Sequence, residues 1–374
     1  MKKIILLGIA LLAMASCEKY DDSDVWNAIN DLKAKQENAS KEGVTPVVKT
    51  VNEEMFISYD NGTTWTKMSN GMYSEISYDE RYVVFTLTDG TELKVLNANY
   101  VVPIKKGAIK AAFSVADDKQ VYFSQGNLQY KASTGVWRFA SNQWDAIGEG
   151  NANIAEDYDG WIDLFAWGTS GWNSGAVCYQ PWSTSTTNSD YYVGGSYNNN
   201  LTGAYANADW GVYNKIANGG NQAGLWRTFT SQEWLYLLKQ RNDADKKYGL
   251  ATVNGVNGLI ILPDNWILPE GIIFNTGVAN ENLADIYQII NNYSLMQWIE
   301  MEKYGAVFLP AAGAGVNEKD IINSNIAGYY QSSTSKNEAN VVCCTFQSGQ
   351  VIPQNYQDKR YRDNYSVRLV QDVK

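Results

Sequence analysis

The sequence contains no histidine. In this chain that absence excludes Ser-His-Asp and Cys-His catalysis, histidine-ligated zinc and the usual general base near neutral pH. Cysteine is scarce as well, with 4 in 374 residues and no regular spacing, which is not a disulfide framework. Cys343 and Cys344 lie in NVVCCTF, which predicts a strand, so their side chains face opposite ways. We interpret both as small buried apolar residues, with a vicinal disulfide or redox pair as the alternative.

Basic residues are fewer than acidic residues in this chain. The chain has 30 Lys and Arg against 40 Asp and Glu, a formal net charge of −10. An acidic protein gains nothing from the phosphate backbone, so we predict no nucleic-acid partner. Membrane binding through a basic patch is equally unsupported.

The longest apolar run, residues 4–13, is too short to span a bilayer. It follows Lys2 and Lys3 and precedes small residues, which predicts a signal peptide over 1–17. Small residues directly before Cys17 resemble a bacterial lipobox, which implies that Cys17 is lipidated. An ordinary signal peptide with an incidental cysteine is the alternative. The acidic residues 18–24 resemble the export signal of Bacteroidetes lipoproteins, which implies an outer-membrane lipid anchor with the protein facing the cell exterior.

Residues 18–42 show apolar positions at spacings of four and three, as in Val25, Ile29 and Leu32. This predicts a short helical stem behind the anchor. Two interpretations remain open: a solvated spacer helix, or a stem through which the protein forms an oligomer.

Residues 43–107 predict a small antiparallel β module. One hairpin is expected around Asp60-Asn61-Gly62, another around Asp89-Gly90, and a further strand over Ile76–Thr86. The stretch from Ser58 to Trp65 matches an Asp-box, S-x-D-x-G-x-T-W. A propeller needs several such repeats and there is one here, so we interpret it as a turn motif without sialidase activity.

The clearest signal in residues 108–374 is a strand-to-helix joint. Thr230 and Glu233 have the spacing of a capping box, and a helix with one apolar face runs on to Lys239 and Arg241. We therefore interpret Glu233 as a cap rather than as a catalytic acid. Thr230→Ala is expected to cost about 1 kcal/mol, and Glu233→Gln less, because Gln also reaches back. Ser294 predicts a second cap, for a helix over 295–303.

Three segments carry a family resemblance: WRTFTSQEWLYLLKQR from Trp226, GYYQSST from Gly328 and YSVRLV from Tyr365. They resemble the formylglycine-generating-enzyme group of the C-type-lectin-like fold. Sequence segments such as WIDLFAWGTSGW and GAVFLPAAG resemble the Fibrobacter major paralogous domain. The resemblance covers roughly 113–370 and implies an α+β, C-type-lectin-like domain over 108–374. The enzymes hold copper with two cysteines four residues apart, which this chain lacks, so we predict no such activity.

Residues 144–213 are rich in Gly, Asn, Ser, Tyr and Trp and have little periodicity, as binding loops do. We predict that a ligand-binding face uses Trp172, Trp182, Tyr191 and Tyr192, whose rings offer flat apolar faces with polar tips. Trp161 and Trp167 are interpreted as core. Should Trp172 or Trp182 prove to be core, the face is to be sought around Trp210 and Tyr213.

Three carboxylates, Asp157, Asp159 and Asp163, lie close together around Gly160. Clustered loop oxygens suit calcium, so this is the one metal hypothesis, against a solvated acidic loop. No other cofactor is predicted.

The sequence thus favours a non-catalytic surface lipoprotein that binds a glycan or a protein. A structural or fimbria-associated subunit is the first alternative. An enzyme of the formylglycine-generating type or a hydrolase is the second.

Overall fold

The computed structural model describes most of the second half of the chain and parts of the first: residues 30, 34, 47–51, 54–58, 64–68, 73–78, 82–88, 90, 92–97, 107–277, 287, 290–317 and 319–373. The chain divides into two compact units, the first including Pro46–Tyr100 and the second Val101–Lys374. Cys17 and most of the predicted stem lie outside the described residues, although Asn30 and Ala34 are helical. Most of the Asp-box turn also lies outside them.

The first unit is a six-stranded sheet with strands β1 Val47–Val51, β2 Glu54–Ser58, β3 Thr66–Lys67, β4 Tyr73–Tyr78, β5 Tyr82–Leu87 and β6 Glu92–Asn97. Its order is β3-β2-β1-β6-β5-β4. Both predicted hairpins are present, as the antiparallel pairs β2–β3 and β5–β6. In the middle of the sheet β1 and β6 run parallel, with Val47 opposite Leu96.

The single strand predicted over Ile76–Thr86 is wrong. The structure has two antiparallel strands there, β4 and β5, with Tyr78 opposite Val83. The polar residues 79–81 interrupt the apolar pattern, and such a break separates strands. The side chains of Ile57 and Phe85 are fully buried in this unit, which shows that the sheet has a covered apolar face.

The second unit contains sixteen described strands: β7 Phe113–Ala116, β8 Lys119–Phe123, β9 Leu128–Lys131, β10 Val136–Phe139, β11 Leu164–Phe165, β12 Tyr248–Val253, β13 Val256–Ile261, β14 Asn292–Tyr293, β15 Val307–Pro310, β16 Ala314–Val316, β17 Asp320–Ile322, β18 Gly328–Ser335, β19 Val341–Gln347, β20 Gln350–Asn355, β21 Tyr365–Ser366 and β22 Val370–Asp372. The α-helices whose bounds lie within the described residues are α1 Trp210–Tyr213, α2 Ser231–Leu235 and α3 Leu295–Lys303, and Tyr287 and Ile290 are helical as well.

These strands form three larger sheets, ordered β11-β21-β18-β19-β20, β14-β12-β13-β15 and β22-β8-β7. The pairs β9–β10 and β16–β17 complete the set. Most neighbouring strands are antiparallel and the helices are few and short, which confirms the α+β class. Among the described residues, no helix is long and apolar enough to cross a membrane.

Strand β19 separates two apolar cores, which explains its adjacent cysteines. Cys343 packs in one core with Trp167 and Tyr361, and Cys344 packs in another with Trp234 and Phe346. Both are free thiols and neither is exposed. The prediction of small buried residues on opposite faces of a strand is confirmed.

Both predicted helix caps are confirmed. Thr230 and Glu233 form a complete capping box on α2, and Ser294 and Gln297 form one on α3. The helix that begins at Ser231 does not continue as an α-helix to Arg241, because Tyr236–Gln240 form a π-helical turn. Arg241 then lies buried and forms an ion pair with Asp264 at 3.2 Å, so it is not a surface cation at a helix end.

Candidate functional site

The long loop region over 144–213 is irregular but firmly attached to the sheets. It contains short 3₁₀ turns, among them Asn188–Tyr191 and Gly203–Ala208. The Trp167 amide donates to the Tyr361 carbonyl at 3.0 Å, and the Leu201 amide donates to the Ser333 carbonyl at 2.9 Å. The loop residues between these two hydrogen bonds are therefore attached to the rest of the unit at both ends.

Trp172 and Trp182 are both half-buried and pack against the core with one side. The Trp182 ring stacks on Tyr130, with ring centroids 6.1 Å apart and an interplanar angle of 17°. Tyr130 is itself buried, so Trp182 lies between the core and the solvent. Each tryptophan therefore keeps part of its surface accessible.

The two adjacent tyrosines have different surroundings, and the prediction for Tyr191 is wrong. Tyr191 is only 1% exposed, and its hydroxyl accepts a hydrogen bond from the Ser185 amide at 2.9 Å. It is therefore a core residue that holds the loop together. Tyr192 is half-buried, and its hydroxyl donates to the Glu338 carbonyl. Its ring meets Tyr361 edge-on at a centroid distance of 5.0 Å.

Tyr197 is a surface aromatic that the sequence reasoning missed. It is 36% exposed and lies edge-on to Tyr192, with ring centroids 5.9 Å apart. Its neighbours are Gly, Ser and Asn, the same composition that singled out Trp172, so the signal was present in the sequence. We call the four residues Trp172, Trp182, Tyr192 and Tyr197 the aromatic loop surface.

The other tryptophans of this region differ in burial. Trp167 is fully buried, as predicted, and its indole N–H donates to the Ser332 carbonyl at 2.9 Å. Trp161 was also interpreted as core, and that prediction is wrong, because Trp161 is half-buried beneath the Arg138 guanidinium, with 3.6 Å from ring centroid to Cζ. Trp210 is fully buried and Tyr213 is 42% exposed, so of the alternative pair only Tyr213 reaches solvent.

The three carboxylates of the calcium hypothesis are not brought together. Asp159 is exposed and forms an ion pair with Lys131 at 2.8 Å, whereas Asp163 is fully buried. The Asp163 carboxylate accepts hydrogen bonds from Asn151 at 2.9 Å and from the Ile147 amide at 3.0 Å. Within the described ranges, no group of three or more Cys, Asp or Glu is placed to hold a metal ion.

Glu233 is saturated by protein partners. Its two carboxylate oxygens accept from both terminal nitrogens of Arg227, at 2.7 and 2.8 Å. It also accepts from the Thr230 amide at 2.9 Å and from Lys119 at 3.0 Å. Burial favours the neutral acid, but the Arg227 hydrogen bonds and charge outweigh burial and hold the pKa of Glu233 below its usual value. A carboxylate kept ionised and fully bonded suits a structural cap better than a general acid.

The pKa values of two other carboxyl groups are shifted in the opposite direction, above their usual range. Burial raises the pKa of Asp163 to about 6 and that of Asp209 to about 6. The Asp209 oxygens accept from the Gly211 amide at 2.9 Å and the Thr228 amide at 2.8 Å, where Asp209 caps helix α1. Both residues connect loops to strands in the interior, and neither has solvent-exposed surface from which to meet a substrate.

The aromatic loop surface offers two kinds of chemical group. Its rings provide flat apolar area, and the surrounding Ser, Asn and Gly residues provide hydrogen-bonding groups. Comparison of the chain with protein-family models, curated proteins and solved structures found no match.

Proposed function

We propose that this chain is a lipid-anchored, non-catalytic protein of the outer membrane that binds a glycan or a protein ligand at the cell exterior. The aromatic loop surface is the binding face. The observation that carries this proposal is the half-buried state of Trp172, Trp182 and Tyr192 on one irregular but anchored loop region. Rings supported from behind and open in front lose little conformational entropy when a ligand stacks on them.

We further propose that the second unit has a C-type-lectin-like fold. In support, the three segments that carry the family resemblance lie side by side. The Arg227 and Val370 backbones exchange two hydrogen bonds of 2.9 Å, and the Ser333 amide donates to the Phe229 carbonyl at 2.7 Å. Strand β18, which contains the second segment, pairs in parallel with β21, which is formed by the first two residues of the third.

The test is a glycan array, followed by titration of any ligand, with the full mature chain in detergent micelles. Trp182→Ala or Trp172→Ala is expected to weaken binding by about 2 kcal/mol, roughly thirtyfold, if the ring is a hot spot. Because both rings also cover core residues, each variant should lower Tm by about 2 to 4 °C for each kcal/mol of packing lost, with the fold retained.

Tyr304→Ala is the matched control, since Tyr304 is 42% exposed and lies at the end of helix α3, outside the loop region. It should bind as the natural chain does. Unchanged affinity in both tryptophan variants would show that the ligand binds elsewhere, and turnover of a bound glycan would contradict the non-catalytic assignment.

A further inference from the structure

A short basic stretch stands out in this acidic protein. Residues 358–363, DKRYRD, contain three cations between two acids, while the whole chain carries a net charge of −10. The cations are Lys359, Arg360 and Arg362. Arg362 is used internally, since its guanidinium donates to the Thr186 carbonyl. The Arg360 charge acts on the Asp363 carboxylate, which leaves Lys359 as the remaining cation of the stretch.

Lys359 lies at the mouth of a small cleft on the five-stranded sheet. The cleft has a volume of about 120 Å³ and is lined by Tyr329, Thr345, Phe346, Gln347, Gln350, Asn355 and Lys359. Strand pairing brings these residues together: Tyr329 is opposite Thr345, and Gln347 is opposite Gln350 across the β19–β20 hairpin. We call it the Lys359 cleft.

The Lys359 ammonium is held in place without being neutralised. Its Nζ lies 4.9 Å from the centroid of the Tyr329 ring. That ring is fixed by stacking on Tyr365 at 5.6 Å and by the Asn323 side chain, which donates to its hydroxyl at 2.8 Å. No ion pair with an Asp or Glu is found for Lys359 in the part of the chain that the structure describes. A positioned ammonium without a counter-ion is a site for an anion.

The rest of the lining is neutral and polar. The Asn355 side-chain Nδ2 donates to the Thr345 hydroxyl at 3.0 Å, and Gln347 and Gln350 are exposed. Carboxamides both donate and accept hydrogen bonds, which matches the hydroxyls of a sugar. Drug-sized ligands occupy pockets of about 300–1,000 Å³, so this cleft has room for one small unit of a longer chain.

We propose that the Lys359 cleft binds the carboxylate of an acidic sugar unit, with Lys359 as the charge partner and the glutamine side chains on the ring hydroxyls. This is a second site, distinct from the aromatic loop surface and from the residues that form it.

The test uses oligosaccharides of galacturonate, glucuronate and sialic acid, each paired with its methyl ester, titrated by calorimetry into the full mature chain in detergent. The ester keeps the shape and removes the charge. At least one acid should bind about tenfold more tightly than its ester, the effect of one charge-assisted hydrogen bond. Lys359→Met should abolish that preference and Lys359→Arg should keep it.

Lys246→Met is the matched control, because it removes the same charge from an exposed lysine paired with Asp243; it should keep the preference. Trp182→Ala should also keep it, which separates this site from the aromatic loop surface. Equal binding of acid and ester, retained preference in Lys359→Met, absence of binding across the acids, or equally tight binding of a triglutamate peptide would each overturn the proposal.

Discussion

At the scale of single residues, buried polar atoms decide which acidic side chains are structural. Glu233 combines two tasks: it caps helix α2, and it forms a bidentate ion pair with Arg227, which also binds Asp372 at 2.6 Å. The cap alone was visible in the sequence. Removing the Glu233 carboxylate should therefore cost more than removing a cap alone. The Arg227 charge is mostly shielded from water and would lose one of its two carboxylate partners.

The ion pair reverses the expected order of the stability losses in Thr230→Ala and Glu233→Gln. Thr230→Ala should lower the free energy of unfolding by about 1 kcal/mol, the usual cost of losing an N-cap. Glu233→Gln should cost more, about 2 kcal/mol, because Gln reaches the Thr230 amide but leaves Arg227 with Asp372 alone. Urea unfolding of both variants measures the difference. Gln232→Ala, at an exposed position in the same turn, is the control. A smaller loss for Glu233→Gln than for Thr230→Ala would mean that the ion pair contributes nothing.

Asp163 predicts a pH dependence of stability. Burial raises the pKa of Asp163 to about 6 in the folded chain, from an ordinary value of 3.8. A raised folded pKa means that its contribution is complete below about pH 4 and is lost as the pH rises through about 6. The unfolding free energy of the natural chain minus that of Asp163→Asn should therefore fall between pH 4 and pH 7, by up to about 3 kcal/mol.

Measuring chemical unfolding of both proteins across that range tests this, and the difference isolates Asp163 from every other titrating group. Asp159→Asn is the control, because Asp159 is exposed and its pKa is lowered by hydrogen bonds from Lys131 and Ser133. A difference for Asp163→Asn that stays flat or rises with pH would contradict the prediction.

Arg368 is a further residue whose role lies in the interior. It is fully buried, and it donates to the Gln143 side chain at 2.7 Å and to the Phe308 carbonyl at 3.4 Å. Burial lowers the pKa of Arg368 to about 10. The arginine in the family-like segment YSVRLV thus connects the segment between β21 and β22 to strand β15 and to the loop that contains Gln143.

At the scale of secondary-structure elements, turn residues decide where strands pair. In the β9–β10 hairpin, a 3₁₀ turn over Ala132–Thr134 ends at Gly135, which has φ 64°. That left-handed conformation costs other residues energy, and the space around Gly135 is open.

Gly135→Ala should therefore cost about 1 kcal/mol of unfolding free energy, from backbone strain alone. Gly135→Asn should cost less, since Asn adopts this conformation more readily. Thermal unfolding of the two variants measures the difference. Equal losses would indicate a steric rather than a conformational cause.

The π-helical turn after α2 is an element-scale feature with a clear consequence. It begins where α2 ends, and the residue that follows it, Arg241, points inward to Asp264 and to the Leu262 carbonyl. An apolar 3.6-residue pattern predicts the first turns of this helix, but it carries no information about where an inserted residue widens the last turn.

At the scale of the whole molecule, each of the two compact units has buried apolar residues of its own. The proposed lipid anchor concerns the whole molecule as well, because it would determine where the protein is held. On the proposal, the acyl chains on Cys17 hold the protein to the membrane.

Cys17→Ser should accordingly move the protein from the membrane fraction to the soluble fraction of expressing cells, since the acylated side chain is lost. Immunoblots of the separated fractions measure this, and Cys178→Ser, which changes a buried cysteine of the second unit, is the control. Unchanged membrane retention of Cys17→Ser would contradict the lipobox interpretation.

The features that could be predicted from the sequence are those that depend on residues close together in the chain. The capping boxes at Thr230 and Ser294, the hairpins of the first unit and the two-faced burial of Cys343 and Cys344 follow from spacings of a few residues. Capping, turn formation and strand alternation act over such distances, so composition and periodicity determine them.

Tertiary structure decided what depends on residues far apart in the chain. Tyr191 and Tyr192 are adjacent and alike, yet one is core and the other is half-exposed. Arg227 meets Asp372 across 145 residues, and the Lys359 cleft collects its lining from three strands and the segment that follows them. Burial and charge pairing are set by which distant segments pack together, and a local pattern does not encode that packing.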